Sequence, residues 1–187
     1  MGAVKPQHIP NLITVFRILL VIPVVRSMMA GRFDLALALF LLAGLSDAVD
    51  GFLAKYFGWQ SRLGSFLDPI ADKFLLVSCF VTAGILDLIP TWLVVAVVLR
   101  DLVIVLGATA YHFLLGPFEG KPLLTSKLNT LVQLVLIVLV LIDRGIKPVY
   151  SLWLDMLIVG TLLTTVLSGA MYVYLWGQRY SQATRGT

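Results

Sequence analysis

Apolar runs separated by short polar breaks set the frame of this chain, at residues 11–30, 34–57, 64–86, 89–115, 123–142 and 148–176. A helix needs about 20 residues to cross the ~30 Å hydrocarbon layer of a bilayer. Two of the six runs reach that length only by including acids. Twelve uncharged residues separate Asp34 from Asp47, so a crossing helix must continue through Asp47 and Asp50 to about Phe57. In mirror image, fourteen residues, one of them Lys73, separate Asp72 from Asp87. That helix must therefore begin near Gly64 and contain Asp68 and Asp72. Asp47 then lies roughly 20 Å along its helix from Asp34, and Asp72 roughly 22 Å from Asp87, at 1.5 Å per residue. The short turn near Gly58 to Arg62 makes the two helices antiparallel neighbours, with both acid pairs at similar depth.

The expected fold is an all-α integral membrane protein of six transmembrane helices, one domain over residues 1–187 without internal repeats. Composition agrees, with 59% hydrophobic and 13% charged residues, where soluble domains carry about a quarter charged. Apolar runs recur almost to the end of the sequence, so the first is expected to be a retained span and not a cleaved signal. Cys79 is the single cysteine, which excludes an internal disulfide and leaves it a packing role. The net charge of +4 is small and scattered, pointing to a membrane surface and not to nucleic acid. Lys5, Lys55, Arg62, Lys121, Lys127, Arg179 and Arg185 fall on one side, against Arg26, Arg32, Arg144 and Lys147 on the other. This bias sets both termini in the cytoplasm and the acids in the cytoplasmic half of the bundle, in a multi-pass protein expected in a bacterial inner membrane.

The chemistry centres on 47–72, Asp47-Ala-Val-Asp50-Gly51-Phe-Leu-Ala54-Lys55, eight residues, then Gly64-Ser-Phe-Leu-Asp68-Pro-Ile-Ala-Asp72. Spacings of three and four put each acid pair on one helix face. Four carboxylates at one depth are costly, so either some are protonated or cations neutralise them. Oxygen ligands with no His or Cys nearby suit Mg²⁺, Mn²⁺ or Ca²⁺ and argue against zinc. Four acids can hold two such ions, the arrangement used in phosphoryl chemistry. Gly51, Ala54 and Gly64 leave room for a ligand to approach, or alternatively for a neighbouring helix. On the first helix Asn11, Thr14 and Arg17 share a stripe, expected to face the acids, the other reading being a cap with a snorkelling arginine.

The pattern resembles the signature of the CDP-alcohol phosphotransferase family, D-x2-D-G-x2-A-R-x8-G-x3-D-x3-D, in all spacings and all but one residue. Lys55 stands where the family has arginine. It keeps the charge but gives up the two-pronged donor fork, which bears on how tightly a nucleotide diphosphate is held. The six-span layout and the Asn11/Thr14/Arg17 stripe are also similar to the family. The resemblance implies that Asp47, Asp50 and Asp68 bind two divalent ions, Mg²⁺ or Mn²⁺, and that Asp72 completes the metal site and is the catalytic base. It implies a CDP site at Asn11, Thr14, Gly51, Ala54, Lys55 and Gly64. Arg17, Arg100 and Lys127 would lie on the acceptor side, suited to an anion such as glycerol 3-phosphate or a phospholipid head group, the other reading being Arg100 paired locally with Asp101 and Lys127 snorkelling. The reaction implied is transfer of a phosphatidyl group from CDP-diacylglycerol to an alcohol, releasing CMP, by a homodimer in the lipid bilayer.

The segments Leu99-Arg100-Asp101-Leu102 and Ser126-Lys127-Leu128-Asn129-Thr130-Leu-Val-Gln133 look more like CMP-forming cardiolipin synthases than phosphatidylglycerophosphate synthases. Phosphatidylglycerol is thus the expected acceptor and glycerol 3-phosphate the alternative. Intramembrane acids also mark cation transporters, but repeated halves and Gly/Pro-broken helix pairs are not evident. His8 and His112 lack a partner at ligand spacing and read as interfacial. Tyr172, Tyr174, Trp176 and Tyr180 read as an aromatic belt, and the tail after Gln178 is expected to fray.

Overall fold

A computed structural model describes residues 9–57, 62–115 and 124–185. Regular structure among the described residues is entirely helical: α1 Ile9–Met29, α2 Phe33–Tyr56, α3 Arg62–Ile85, α4 Thr91–Leu115, α5 Leu124–Gly145 and α6 Ser151–Arg185. Each of the six apolar runs coincides with one helix. Among the described residues, three helices are apolar and long enough to cross a membrane, at Thr91–Thr109, Leu124–Gly145 and Ser151–Gln178, which makes this a membrane protein. The loop at 116–123, His8, Lys5 and most of the turn after Phe57 lie outside the described residues.

The chain divides into two compact units, 1–88 with 137–149, and 89–136 with 150–187. In the first unit α1 packs along both α2 and α3. Its buried residues, Thr14, Arg17, Val21, Val24 and Met28, step by three and four, the spacing that keeps one stripe against a partner helix. On α2, Ala36, Phe40 and Ala43 form a buried stripe that continues by the same step to Asp47. On α3, Leu75, Cys79 and Ala83 are buried, in a stripe that leads back to Asp72. Each stripe is apolar at one end and polar at the other, so the packing that joins the helices also aligns their polar ends.

Helix ends have local causes. Gly31 takes a positive φ of 71°, its N–H donating to Met28 O while Arg32 N donates to Ser27 O. This turn satisfies the last carbonyls of α1 and reverses the chain into α2. Asp87, at φ 52°, ends α3 the same way, with Asp87 N on Gly84 O and Leu88 N on Ala83 O. At the end of α5, Asp143 Oδ1 accepts from Val149 N at 2.8 Å. A Cβ on Gly145 would come within 2.5 Å of Asp34 N, so only glycine lets α5 end against the start of α2.

In the second unit α4 packs on α6. A Cβ on Gly107 would fall 1.7 Å from the Trp176 ring, so glycine there is what admits the indole. The tail beyond Gln178 does not fray: α6 continues to Arg185, roughly 52 Å in all at 1.5 Å per residue. Gln178 Nε2 donates to Tyr174 Oη one turn back, and Tyr172 lies 5.6 Å from Trp176 between ring centroids. Cys79 is free and fully buried, in keeping with a packing role.

Candidate active site

Three helices of the first unit converge on the acids. Thr14 Oγ1 donates to Asp68 Oδ1 at 2.5 Å. One turn on in both helices, Arg17 Nη1 donates to Asp72 Oδ1 at 2.5 Å. Residue numbers rise together along the two contacts, so α1 and α3 run parallel, in a register held by two side-chain bonds. The same Arg17 Nη1 lies 2.7 Å from Asp47 Oδ1 on α2. One nitrogen thus ties α2 to α3, and α1 supplies it.

Arg17 is fully buried, whereas the Asp47 and Asp72 side chains are 41% and 49% exposed. A guanidinium without access to water needs carboxylates around it, which explains why it lies with the acids and not free toward an acceptor. The expectation that the α1 stripe faces the acids is met at Thr14 and Arg17. The two acid-bearing helices are joined here through α1, a link that their hairpin connection alone does not suggest.

Two oxygens on one nitrogen at these distances are at most about 5 Å apart, within reach of one or two divalent ions with bonds of roughly 2.1 Å. Among the described residues no three acids gather as a ready-made cage. Asp68 is held by Thr14, and the Asp50 side chain lies outside the described ones. The donors are all carboxylate oxygens in a spot that already holds one cationic group, so their chemistry fits a hard cation. Among the described residues nothing comes within 4 Å of a Cβ built on Gly51. Asn11, Asp50, Ala54, Lys55 and Gly64 sit on helical backbone, but their surroundings lie outside the described residues.

The CDP-alcohol phosphatidyltransferase family model matches residues 7–176. The chain belongs to this family. Its relatives include the cardiolipin synthases (CMP-forming) of Rattus norvegicus and Homo sapiens, each 32% identical over 97% of this chain and 65% of the relative. The chain spans just under two thirds of the length of those two. It is also 35% identical, over 76% of its length and 48% of the relative's, to the chloroplastic CDP-diacylglycerol–glycerol-3-phosphate 3-phosphatidyltransferase 1 of Oryza sativa subsp. japonica. In the family's terms, the match takes in the whole segment from Asp47 to Asp72 and the α1 stripe.

The other expected site residues belong to the second unit. Arg100 is buried, its Nη1 donating to Asp101 Oδ1 at 2.7 Å and its Nη2 to Ser126 Oγ at 2.8 Å and to Ser168 Oγ. The guanidinium is thus a clamp across α4, α5 and α6. Lys127, next to Ser126, is exposed. Ser168, Thr165 and Thr161 were not legible as site candidates from charge. Their signal is the recurrence of hydroxyls at steps of three and four on an otherwise apolar helix.

Proposed function

We propose that the chain transfers a phosphatidyl group from CDP-diacylglycerol to the hydroxyl of an alcohol, releasing CMP, and that the acceptor is phosphatidylglycerol. Family membership supports the reaction class, and the likeness to two cardiolipin synthases over 97% of the chain supports the acceptor. The observation that carries the reading is the single Arg17 nitrogen between Asp47 and Asp72. Carboxylates of two helices converge there on one cationic point, which supports a site able to gather the cations that phosphoryl transfer uses. The rice relative's name supports glycerol 3-phosphate as a second reading.

In this reading all six helices cross the membrane, both termini are cytoplasmic, the chain is one domain, and it works as a homodimer in a bacterial inner membrane. Asp47, Asp50, Asp68 and Asp72 would hold two divalent ions, Mg²⁺ or Mn²⁺. Such ions, when bound, neutralise a diphosphate and ease departure of the nucleotide. Thr14 holds Asp68, and Arg17 holds Asp47 and Asp72, so the donors are oriented before substrate arrives, the condition for electrostatic catalysis. Asn11, Gly51, Ala54, Lys55 and Gly64 line the CDP side. Asp72 takes the proton from the acceptor hydroxyl. The resulting oxygen attacks the lipid-side phosphorus, the bond from that phosphorus to the CMP oxygen breaks, and CMP leaves. Lys127 and Arg100 serve the acceptor side, Lys127 by charge and Arg100 by fixing the start of α5 beside it.

The test is purified protein in nanodiscs with Mn²⁺, labelled CDP-diacylglycerol, and either phosphatidylglycerol or glycerol 3-phosphate, with lipid products separated by thin-layer chromatography. Cardiolipin and CMP are expected with phosphatidylglycerol. Product from glycerol 3-phosphate alone would overturn the acceptor and keep the class. Cation flux without CMP release would replace the enzyme with a transporter.

A further inference from the structure

A ladder of polar side chains crosses between α5 and α6 inside the second unit. At its first rung Arg100 Nη2 donates to both Ser126 Oγ and Ser168 Oγ. One turn further, Asn129 Oδ1 accepts from Thr164 Oγ1 and Thr165 Oγ1, each at 2.9 Å. Numbers rise on α5 as they fall on α6, so the helices are antiparallel and position 126 faces 168 as 129 faces 165. One more turn on each sets 133 opposite 161. Gln133 and Thr161 occupy those positions, both completely buried.

The third rung differs from the first two in being unmatched. Among the described residues, Gln133 Nε2, Gln133 Oε1 and Thr161 Oγ1 have no hydrogen-bond partner, nor does Asn129 Nδ2 one turn away. Arg100 Nε is also unmatched, but it belongs to the charged end of the ladder. Gln133 is nine residues into α5, roughly 13 Å along it, on a helix apolar enough to cross the membrane. Hydrocarbon offers such groups no substitute for water, and an unmatched amide there is costly.

We propose that the Gln133–Thr161 rung is a binding site for a neutral hydroxyl group, brought either by a water molecule or by the glycerol of the acceptor lipid. The unmatched set contains donors, Gln133 Nε2 and Asn129 Nδ2, an acceptor, Gln133 Oε1, and a Thr161 hydroxyl that does both. A guest must therefore donate and accept at once. An anion would leave Gln133 Oε1 unmatched, a metal ion would leave the two amide N–H₂ groups unmatched, and neither would find a counter-charge on this rung. A hydroxyl meets every requirement. The lipid source rests on the acceptor proposed above, whereas the water source does not depend on it.

The experiment uses the full chain in nanodiscs with and without phosphatidylglycerol. Proton-detected solid-state NMR reads magnetisation transfer into the Gln133 side-chain amide, assigned by its loss in Gln133→Leu. Acceptor and CDP-diacylglycerol KM are measured on the same variant and on Thr161→Val. Transfer from water that persists with lipid present, and unchanged KM values, would identify the guest as water. Transfer that phosphatidylglycerol abolishes, with an acceptor KM raised about 3- to 10-fold for one lost hydrogen bond and an unchanged KM for CDP-diacylglycerol, would identify the lipid hydroxyl. No transfer in either condition, with both KM values unchanged, would overturn the proposal. Should Gln133→Leu not fold, Gln133→Asn and Thr161→Val carry the same readouts. A protein without any transferase activity would refute the proposed function and leave the NMR result to decide this site.

Discussion

Replacing Arg17 by Met keeps an unbranched apolar stem and removes the charge between Asp47 and Asp72. Both carboxylates are partly exposed, at 41% and 49%, so each lost pair falls between the roughly 0.5 kcal/mol of a surface pair and the 3–5 kcal/mol of a fully buried one. The acids are then left facing each other. Two unit charges about 5 Å apart repel by roughly 3 kcal/mol at an effective dielectric of about 20, a figure that solvent and local relaxation reduce. A net destabilisation of about 2–4 kcal/mol is expected in EDTA, read as a lower unfolding midpoint by tryptophan fluorescence in detergent. A divalent cation would take over the neutralising role. Saturating Mn²⁺, which contributes about 2.7 kcal/mol at a hundred times its Kd, should therefore stabilise Arg17→Met more than the parent protein. Equal midpoints in EDTA, together with equal shifts on adding Mn²⁺, would refute the counter-ion role of Arg17.

Asp72→Asn should lower transfer by about 10²- to 10⁴-fold, the usual range for a general base; activity within a few-fold of the parent would remove Asp72 from the chemistry. Chelation by EDTA should abolish CMP release, with Mn²⁺ or Mg²⁺ restoring it and Zn²⁺ failing to; full activity in EDTA would exclude the paired-ion site. Gly107→Ala should destabilise by about 1–3 kcal/mol, as overpacking does, because its Cβ would overlap the Trp176 ring. Trp176→Leu should relieve that loss in the double variant, and a neutral Gly107→Ala in a thermal melt would contradict the packing.

The helices were legible because hydropathy and the acid spacings constrain one another: no crossing fits between Asp34 and Asp47, so the acids had to lie inside helices. The Thr14/Arg17 stripe was legible for a similar reason, since a step of three keeps both on one face. What sequence could not supply was partner choice between helices. Nothing in the spacing of Arg17 says that one of its nitrogens will bridge two helices, or that Arg100 will be taken up by Ser126 and Ser168. Hydroxyls within apolar runs carry no charge and scarcely interrupt the pattern, so the Asn129–Thr165 register appears only in three dimensions. Gly107 and Gly145 each mark a close approach, to Trp176 and to the Asp34 backbone, that the linear pattern does not announce. The end of α6 was misread because Ser181, Gln182 and Thr184 look like tail residues, although none of them breaks a helix.

The charge carried by α1 has a bearing on how the protein is made. On the six-span reading, Arg17 reaches the translocon thirty residues ahead of Asp47 and fifty-five ahead of Asp72. A lone arginine near mid-span disfavours partitioning into lipid by about 2.5–3.5 kcal/mol. The first helix should therefore linger at the protein-conducting channel until the second arrives with its aspartate, and the pair should leave for the bilayer together.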